Sequence, residues 1–255
     1  MNPKKKIALI TGASSGLGAA YARLLDREGL DELWLVARRA DRLTKLAETL
    51  TTTCRCLPLD LAQETNLDVL EQALAAANCQ IAYLVNAAGF GCIGLSRECS
   101  RKKLQEMVKL NALAAMGITE ICIPLMTKGS IILEVASCAA FQPIPNLTVY
   151  AATKAFLLSY SRALHVELQD LGINVTAVCP FWIKDTEFVA KARETDKRQI
   201  YQDMPGATNA KHVAEKSLKA AKSGTAVCTP DTVSFLHRII TAIIPHRLLA
   251  QACKG

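Results

Sequence analysis

Three side chains in this sequence have the types and spacing needed to move a proton. Tyr150 and Lys154 lie four residues apart in Tyr-Ala-Ala-Thr-Lys, and Ser137 lies thirteen residues before Tyr150, just past the apolar run Ile131-Ile132-Leu133-Glu134-Val135-Ala136. Beyond Pro143 and Pro145, Val149, Ala152, Ala155, Phe156, Ser159 and Ala163 recur at helical intervals. This spacing predicts a helix with Tyr150 in its first turns and Lys154 on the same face. A free phenol, with a pKa of about 10, is a poor proton donor or acceptor at neutral pH. An ammonium one turn away and the positive end of a helix both favour the phenolate, so the spacing describes a tunable acid/base. Alone, such a pair is usually a helix-surface contact, and the functional reading depends on the rest of the chain.

The chain has 255 residues, 51% hydrophobic and 21% charged. That is enough for one full core, and the length fits a single α/β domain over 1–255 better than two small ones. The basic start Met1-Asn2-Pro3-Lys4-Lys5-Lys6 precedes only Ile7-Ala8-Leu9-Ile10 before Thr11-Gly12. This is too short for a signal peptide and reads as a first strand. No run of about 20 consecutive apolar residues occurs, so no membrane span is expected. The ten cysteines are scattered without Cys-x-x-Cys spacing, as reduced core residues of a cytoplasmic protein would be. His165, His212, His237 and His246 form no ligand-spaced cluster, so no metal is assigned. The net charge of +7 is dispersed; it reads as a solvated surface rather than a nucleic-acid footprint, and it also suits an anionic small ligand.

The elements that must position the three side chains begin with the strand Ile7–Ile10. It feeds Thr11-Gly12-Ala13-Ser14-Ser15-Gly16-Leu17-Gly18, after which Ala20, Tyr21, Leu24 and Leu25 mark a helix ending near Gly29. Strand, glycine loop and helix together let the backbone approach a pyrophosphate held by amides at the helix start. A second strand, Leu33–Ala37, ends in Arg38-Arg39 with no acidic residue; this favours the 2′-phosphate of NADP over the ribose diol of NAD. Cys54–Leu59 reads as a third strand closing on Asp60-Leu61, where Asp60 either accepts from an adenine amino group or caps the next helix. Ile81–Val85 makes a fourth, ending in Asn86-Ala87-Ala88-Gly89, small residues that leave room for a ligand. A long helix from Ser100 carries Asn111, whose plain reading is a satisfied core amide. Ile173–Val178 is the sixth strand and ends at Cys179-Pro180. Alternating strands and helices with apolar strands predict a doubly wound, mostly parallel seven-stranded sheet covered on both faces.

Taken together, these motifs resemble the short-chain dehydrogenase/reductase superfamily, from Lys6 to about Pro180. Thr11 to Gly18 match its cofactor loop, Asn86-Ala87-Ala88-Gly89 its fourth-strand motif, and Asn111, Ser137, Tyr150 and Lys154 its catalytic four. The resemblance implies that a reduced nicotinamide delivers hydride to a carbonyl while Tyr150 donates the proton. It also implies that Ser137 orients the oxygen, that Lys154 binds the nicotinamide ribose and lowers the Tyr150 pKa, and that Asn111 holds a water leading to solvent. Such roles are physically sensible because charge develops on the oxygen only as hydride arrives. Cofactor contacts are expected from Gly12, Ser14, Ser15, Gly16, Leu17, Gly18, Arg38, Arg39, Asp60, Leu61, Asn86, Ala87, Ala88, Gly89, Tyr150, Lys154, Pro180, Ile183 and Thr186.

One stretch departs from the family pattern: Pro180 is followed by Phe181 rather than glycine, and Asp185 displaces Thr186 by one residue. Phe181 and Trp182 are expected to wall the substrate pocket with Ser137 and Tyr150, or else to be a repacked loop. Residues 188–206 read as a mobile lid or a connecting helix, 212–222 as a helix and 225–228 as a seventh strand. The segment 231–255 is too apolar for a free surface helix; packing on a second subunit, covering the pocket and lying on a membrane surface are the expectations, in that order. Phe90, Ile93, Leu95, Phe141, Ile144 and Leu147 point to an apolar ketone or secondary alcohol, of hydroxysteroid or 3-oxoacyl type. The alternative is a nucleotide-binding regulatory or scaffold protein of the same fold without turnover.

Overall fold

The computed structural model describes residues 3–196, 200 and 204–253. Its centre is a seven-stranded sheet in the order β3-β2-β1-β4-β5-β6-β7, parallel throughout. The strands are β1 Lys5–Thr11, β2 Glu32–Val36, β3 Thr53–Leu57, β4 Cys79–Asn86, β5 Ile131–Val135, β6 Asn174–Val178 and β7 Val227–Cys228. From β1 the chain winds outward to β3, then returns to β4 and winds the other way. A crevice therefore opens at the carboxyl ends of β1 and β4, where the winding reverses.

A parallel strand covered on both faces must be apolar on both, and β1 obeys that rule. Ile7 and Leu9 face a core built with Leu70 and Leu74 of α3 (Glu64–Ala75), Ile118 of α5 (Ala115–Cys122) and Leu164 of α6 (Thr148–Glu167). Ala8 and Ile10 face the opposite core, with Tyr21 and Leu25 of α1 (Gly16–Leu25), Leu43 of α2 (Ala40–Ala47) and Val213 and Leu218 of α8 (Ala210–Lys222). The third strand stops at Leu57, two residues short of the expected Leu59, because Pro58 has no N–H to extend the ladder. The seventh is only two residues long, pairing Val227 and Cys228 with Ala177 and Val178. All ten cysteines are free thiols.

The helix from Ser100 begins as expected, the Ser100 hydroxyl accepting from the Lys103 amide at 3.2 Å. It runs as α4 (Arg101–Val108), a π-helical stretch Lys109–Ala114, and α5. By length and composition, Arg101–Leu125 would suffice to cross a bilayer, a property that a search for unbroken apolar runs misses. Met107 and Ile118 on this helix are committed to cores.

The last segment folds as α9 (Thr232–Ile243) and α10 (His246–Ala252). Asp231 caps α9, accepting from the Ser234 amide at 2.8 Å. Of the three expected uses, covering the pocket is the one the fold displays: Val233, His237 and Cys253 line the cavity at the carboxyl ends of the strands. The outer face of the same helices, with Phe235, Leu236, Ile239, Ile240, Ile243 and Leu248, is exposed.

The glycine loop meets the sheet at van der Waals limits. A Cβ on Gly18 would lie 2.4 Å from the Gly12 carbonyl oxygen, so Gly18→Ala is expected to overpack the turn by about 2 kcal/mol and lower the melting temperature by roughly 4–8 °C. Thermal unfolding measures this, and an unchanged midpoint would show that the loop is looser than this separation implies.

Candidate active site

Three elements bring the sequence-selected side chains together. β5 ends at Val135, and Ser137 then caps a short 3₁₀ turn, its hydroxyl accepting from the Ala139 amide at 3.1 Å. α6 starts at Thr148, so Tyr150 and Lys154 lie in its first two turns. The Cys138 amide donates to the Pro180 carbonyl at 3.0 Å, tying the ends of β5 and β6 beside them. All three side chains are buried and line one cavity of about 470 Å³, within the usual range for small-molecule sites.

The electrostatics differ from the sequence expectation. Burial pushes the Tyr150 phenol up, while the neighbouring Ser137 hydroxyl pulls the other way. The Lys154 ammonium does not reach the phenol oxygen: it donates to the Val135 carbonyl at 2.6 Å and lies 5.8 Å from the Tyr150 ring centroid. Its own pKa is pulled down to about 8 by burial, with Glu134 and Cys179 opposing. The sequence shows the spacing of phenol and ammonium but not the desolvation, which dominates here.

At the other end of the cavity lie Ser14, Ser15, Gly16 and Leu17 at the start of α1, together with Arg38 and Arg39. Gly12 has φ +67°, and a Cβ there would meet the Ala87 carbonyl and Ala88 amide at 2.8 Å. The Thr11 hydroxyl accepts from the Ala87 and Ala88 amides at 3.1 Å each, pinning the loop to the end of β4. Arg39 donates to the Ser14 hydroxyl at 3.0 Å and the Ser15 hydroxyl at 2.8 Å, and to Glu187 at 2.7 Å. A cavity with a side-chain-free backbone floor, guanidiniums at one end and a phenol and ammonium at the other fits a nicotinamide dinucleotide.

Gly18, Asp60, Leu61, Ala87, Ala88, Gly89, Pro180, Phe181, Trp182, Ile183 and Thr186 also line the cavity, as expected. Asp60 additionally accepts from the Ala62 amide at 3.2 Å in a local turn; α3 starts only at Glu64 and has no side-chain cap, so the capping alternative is not met. Asn86 is a correction: it does not line the cavity. Its carboxamide turns into the core, donating to Glu134 at 2.8 Å and Thr119 at 2.9 Å. Asn111 is fully buried, donates to the Phe90 carbonyl at 2.9 Å and accepts from the Phe90 amide at 3.0 Å. Its amide therefore holds the turn after Gly89, the plain reading, although it stays close to Lys154: a Cβ on Gly89 would lie 3.0 Å from Asn111 Oδ1 and 3.6 Å from Lys154 Nζ. The extra residue Asp185 points away from the cavity and accepts from the Ala210 amide at 2.8 Å. Ile93, Leu95 and Phe141 do not line the cavity. Of the expected lid, 197–199 and 201–203 lie outside the described residues; the described part includes α7 (Glu187–Arg193).

α7 and α9 fall in the stretches read as a lid and as a cover for the pocket, but the sequence does not single out the side chains that reach in. The Phe188 ring packs 5.4 Å from the Tyr150 ring, and Glu187, Lys191 and Ala192 also reach the cavity. Sequence reasoning also passed over Glu134, a lone carboxyl in an apolar strand. Glu134 is fully buried, and burial lifts its pKa from 4.5 to about 7, against the hydrogen bonds from Thr119 and Asn86 and the charge of Lys154. A raised folded pKa means stability that is fully present below 4.5 and lost as pH rises through about 7. Glu134→Gln removes that titration and keeps an acceptor for Thr119 and Asn86. Between about pH 5 and pH 8 the melting temperature of the variant should therefore gain a few degrees on the wild type; a constant difference would mean that Glu134 does not titrate there.

The described geometry has counterparts among known proteins. Residues 6–197 match the family model for short chain dehydrogenases. The ketoacyl reductase HetN of Nostoc is 30% identical over 225 residues, covering 86% of this chain and 76% of that protein. The very-long-chain 3-oxoacyl-CoA reductase of Rattus norvegicus is 27% identical over 266 residues, covering 97% and 78%. A short-chain dehydrogenase from Sphingobium yanoikuyae, solved in complex with NADPH, superposes with a TM-score of 0.76 at 26% identity, covering 94% of this chain and 96% of that one. Another solved chain of this fold, from Burkholderia phymatum, holds NAD instead. With its phenol, ammonium and serine converging beside a glycine loop on a seven-stranded parallel sheet, the chain belongs to the short-chain dehydrogenase family, the NAD(P)-dependent oxidoreductases that act on CH–OH and ketone groups.

Proposed function

We propose that this protein is an NADP-dependent reductase that interconverts a ketone and a secondary alcohol on an apolar substrate, with a 3-oxoacyl compound ahead of a hydroxysteroid. The observation that carries the reading is the shared cavity of Ser137, Tyr150 and Lys154, walled by Phe90, Ile144, Leu147, Phe181, Trp182 and Phe188. The 3-oxoacyl preference draws on the names of HetN and the rat reductase. The NADP preference draws on Arg38 and Arg39 beside Ser14.

When bound, the reduced nicotinamide supplies the hydride. Tyr150, kept protonated by burial, is in the form needed to donate a proton to the oxygen of the reacting carbonyl. Ser137, on the wall of the same cavity, orients the same oxygen and stabilises charge developing on it. Lys154 contributes a positive charge one turn below and a donor toward the ribose. Asn111 fixes the turn at Gly89 and Phe90 against which the nicotinamide end would rest, and the family resemblance adds a water path from Lys154 to solvent. Ile183 and Thr186 offer backbone groups to the carboxamide. In the same reading the exposed face of α9 and α10 meets a second copy of the chain, with a lipid surface as the competing partner; sedimentation with and without liposomes separates the two.

Tyr150→Phe is expected to bind NADPH nearly as the wild type does and to lose turnover with every ketone in a panel, followed by the near-ultraviolet absorbance of the reduced cofactor. Retention of a tenth of the activity would remove Tyr150 from the role of proton donor. Phe181→Gly should raise KM for bulky apolar ketones severalfold with little change in kcat, and a KM unchanged for all of them would take Phe181 out of the pocket wall.

A further inference from the structure

The arginine end of the cavity is already occupied by a carboxylate of the chain itself. Glu187, the first residue of α7, takes Arg39 Nη1 at 2.7 Å and Lys191 Nζ at 3.1 Å on one oxygen and Arg42 on the other. The contacts with Arg42, Arg39 and Lys191 hold its pKa down to about 2, so the group is an anion under all working conditions. Arg39 turns its remaining donors to Ser14 and Ser15 of the glycine loop, which fixes the guanidinium in place. Ser14, Ser15, Arg38, Arg39, Glu187 and Lys191 all border the same cavity. A fixed guanidinium with a neighbouring ammonium and hydroxyl is the donor set that a phosphate dianion uses, and Glu187 satisfies that set with a single negative charge.

We infer that the Glu187 carboxylate stands in for the 2′-phosphate of NADP, so that phosphate and carboxylate compete for Arg39 and cofactor binding frees the start of α7. This rests on the NADP reading and extends it to the chain's own competitor. Two anions cannot share one guanidinium without mutual repulsion, and a dianion takes bidentate donors better than a carboxylate. The chain just before Glu187 is anchored: Asp185 accepts from the Ala210 amide at 2.8 Å, and the Lys184 amide donates to the Thr208 carbonyl at 2.9 Å. Displacing Glu187 therefore moves the residues on its C-terminal side, beginning with Phe188, whose ring packs on Tyr150. On the near side Thr186 lies over the glycine loop, its Cγ2 3.1 Å from where a Cβ on Gly16 would sit. The cofactor's phosphate is thereby coupled to the lid over the reacting phenol, and NADH, lacking that phosphate, leaves Glu187 in place.

The test compares NADPH and NADH binding by fluorescence titration in the wild type and Glu187→Gln, alongside hydrogen exchange of the α7 amides. Glu187→Gln should tighten NADPH about three- to tenfold, as expected for removing a partly exposed competing charge, and leave NADH unchanged. In the wild type, 2′,5′-ADP should speed exchange across Glu187–Arg193 and 5′-ADP should not; in Glu187→Gln exchange should be fast before any nucleotide is added. Weaker or unchanged NADPH binding in the variant, equal tightening of both cofactors, or slower α7 exchange with 2′,5′-ADP would overturn the inference while leaving the NADP reading intact. A wild type that binds NADPH no better than NADH would remove the NADP reading and this inference with it.

Discussion

The turn after β1 lies against the end of β4 at a separation that leaves no room for a side chain. A Cβ on Gly12 would collide with the peptide between Ala87 and Ala88, and the Thr11 hydroxyl bonds both of those amides. This approach lets the glycine loop, the β4 end and the start of α1 form one continuous floor, and the crevice between the two halves of the sheet exists because that floor is made of backbone. Every side chain of the site reaches the cavity from an element set against it.

Near the reacting groups the controlling factor is desolvation. Tyr150, Lys154 and Glu134 are all buried, and in each case burial is the leading cause of the pKa shift, disfavouring the charged form. The result is a neutral phenol above a weakened ammonium, with a carboxyl behind them that titrates close to neutrality. Little of each group's own surface is open to solvent, so polar contacts made there are stronger than the same contacts at a surface.

Much of the fold was legible in the sequence because each strand is a short apolar run and each covering helix repeats its apolar residues at helical spacing, both local patterns. The same holds for the glycine loop and for Tyr150 and Lys154, whose relation is fixed by one turn of helix. The features that could not be read depend on contacts between distant segments. Asn86 faces the core because the pairing of β4 with β5 sets it beside Glu134. Glu187 meets Arg39 across 148 residues. The protonation of Tyr150 results from its burial beneath α7 and the β5 end, which no spacing along the chain encodes. The stretch after Pro180 is irregular already in sequence, and the structure supplies the reason: its extra residue, Asp185, serves α8 rather than the cavity.

The π-helical stretch Lys109–Ala114 also constrains how this chain can vary in length. A π turn arises where one residue more than an α-helix needs is accommodated without breaking the rod. Deleting one of those six residues would close the winding to a regular α-helix with α4 and α5 keeping their facing, Met107 and Ile118 still turned to their cores. The segment thus behaves as an absorbed insertion: losing one residue within it costs the turn that Asn111 clamps, whereas the same loss inside α4 or α5 would turn everything beyond it by about 100°.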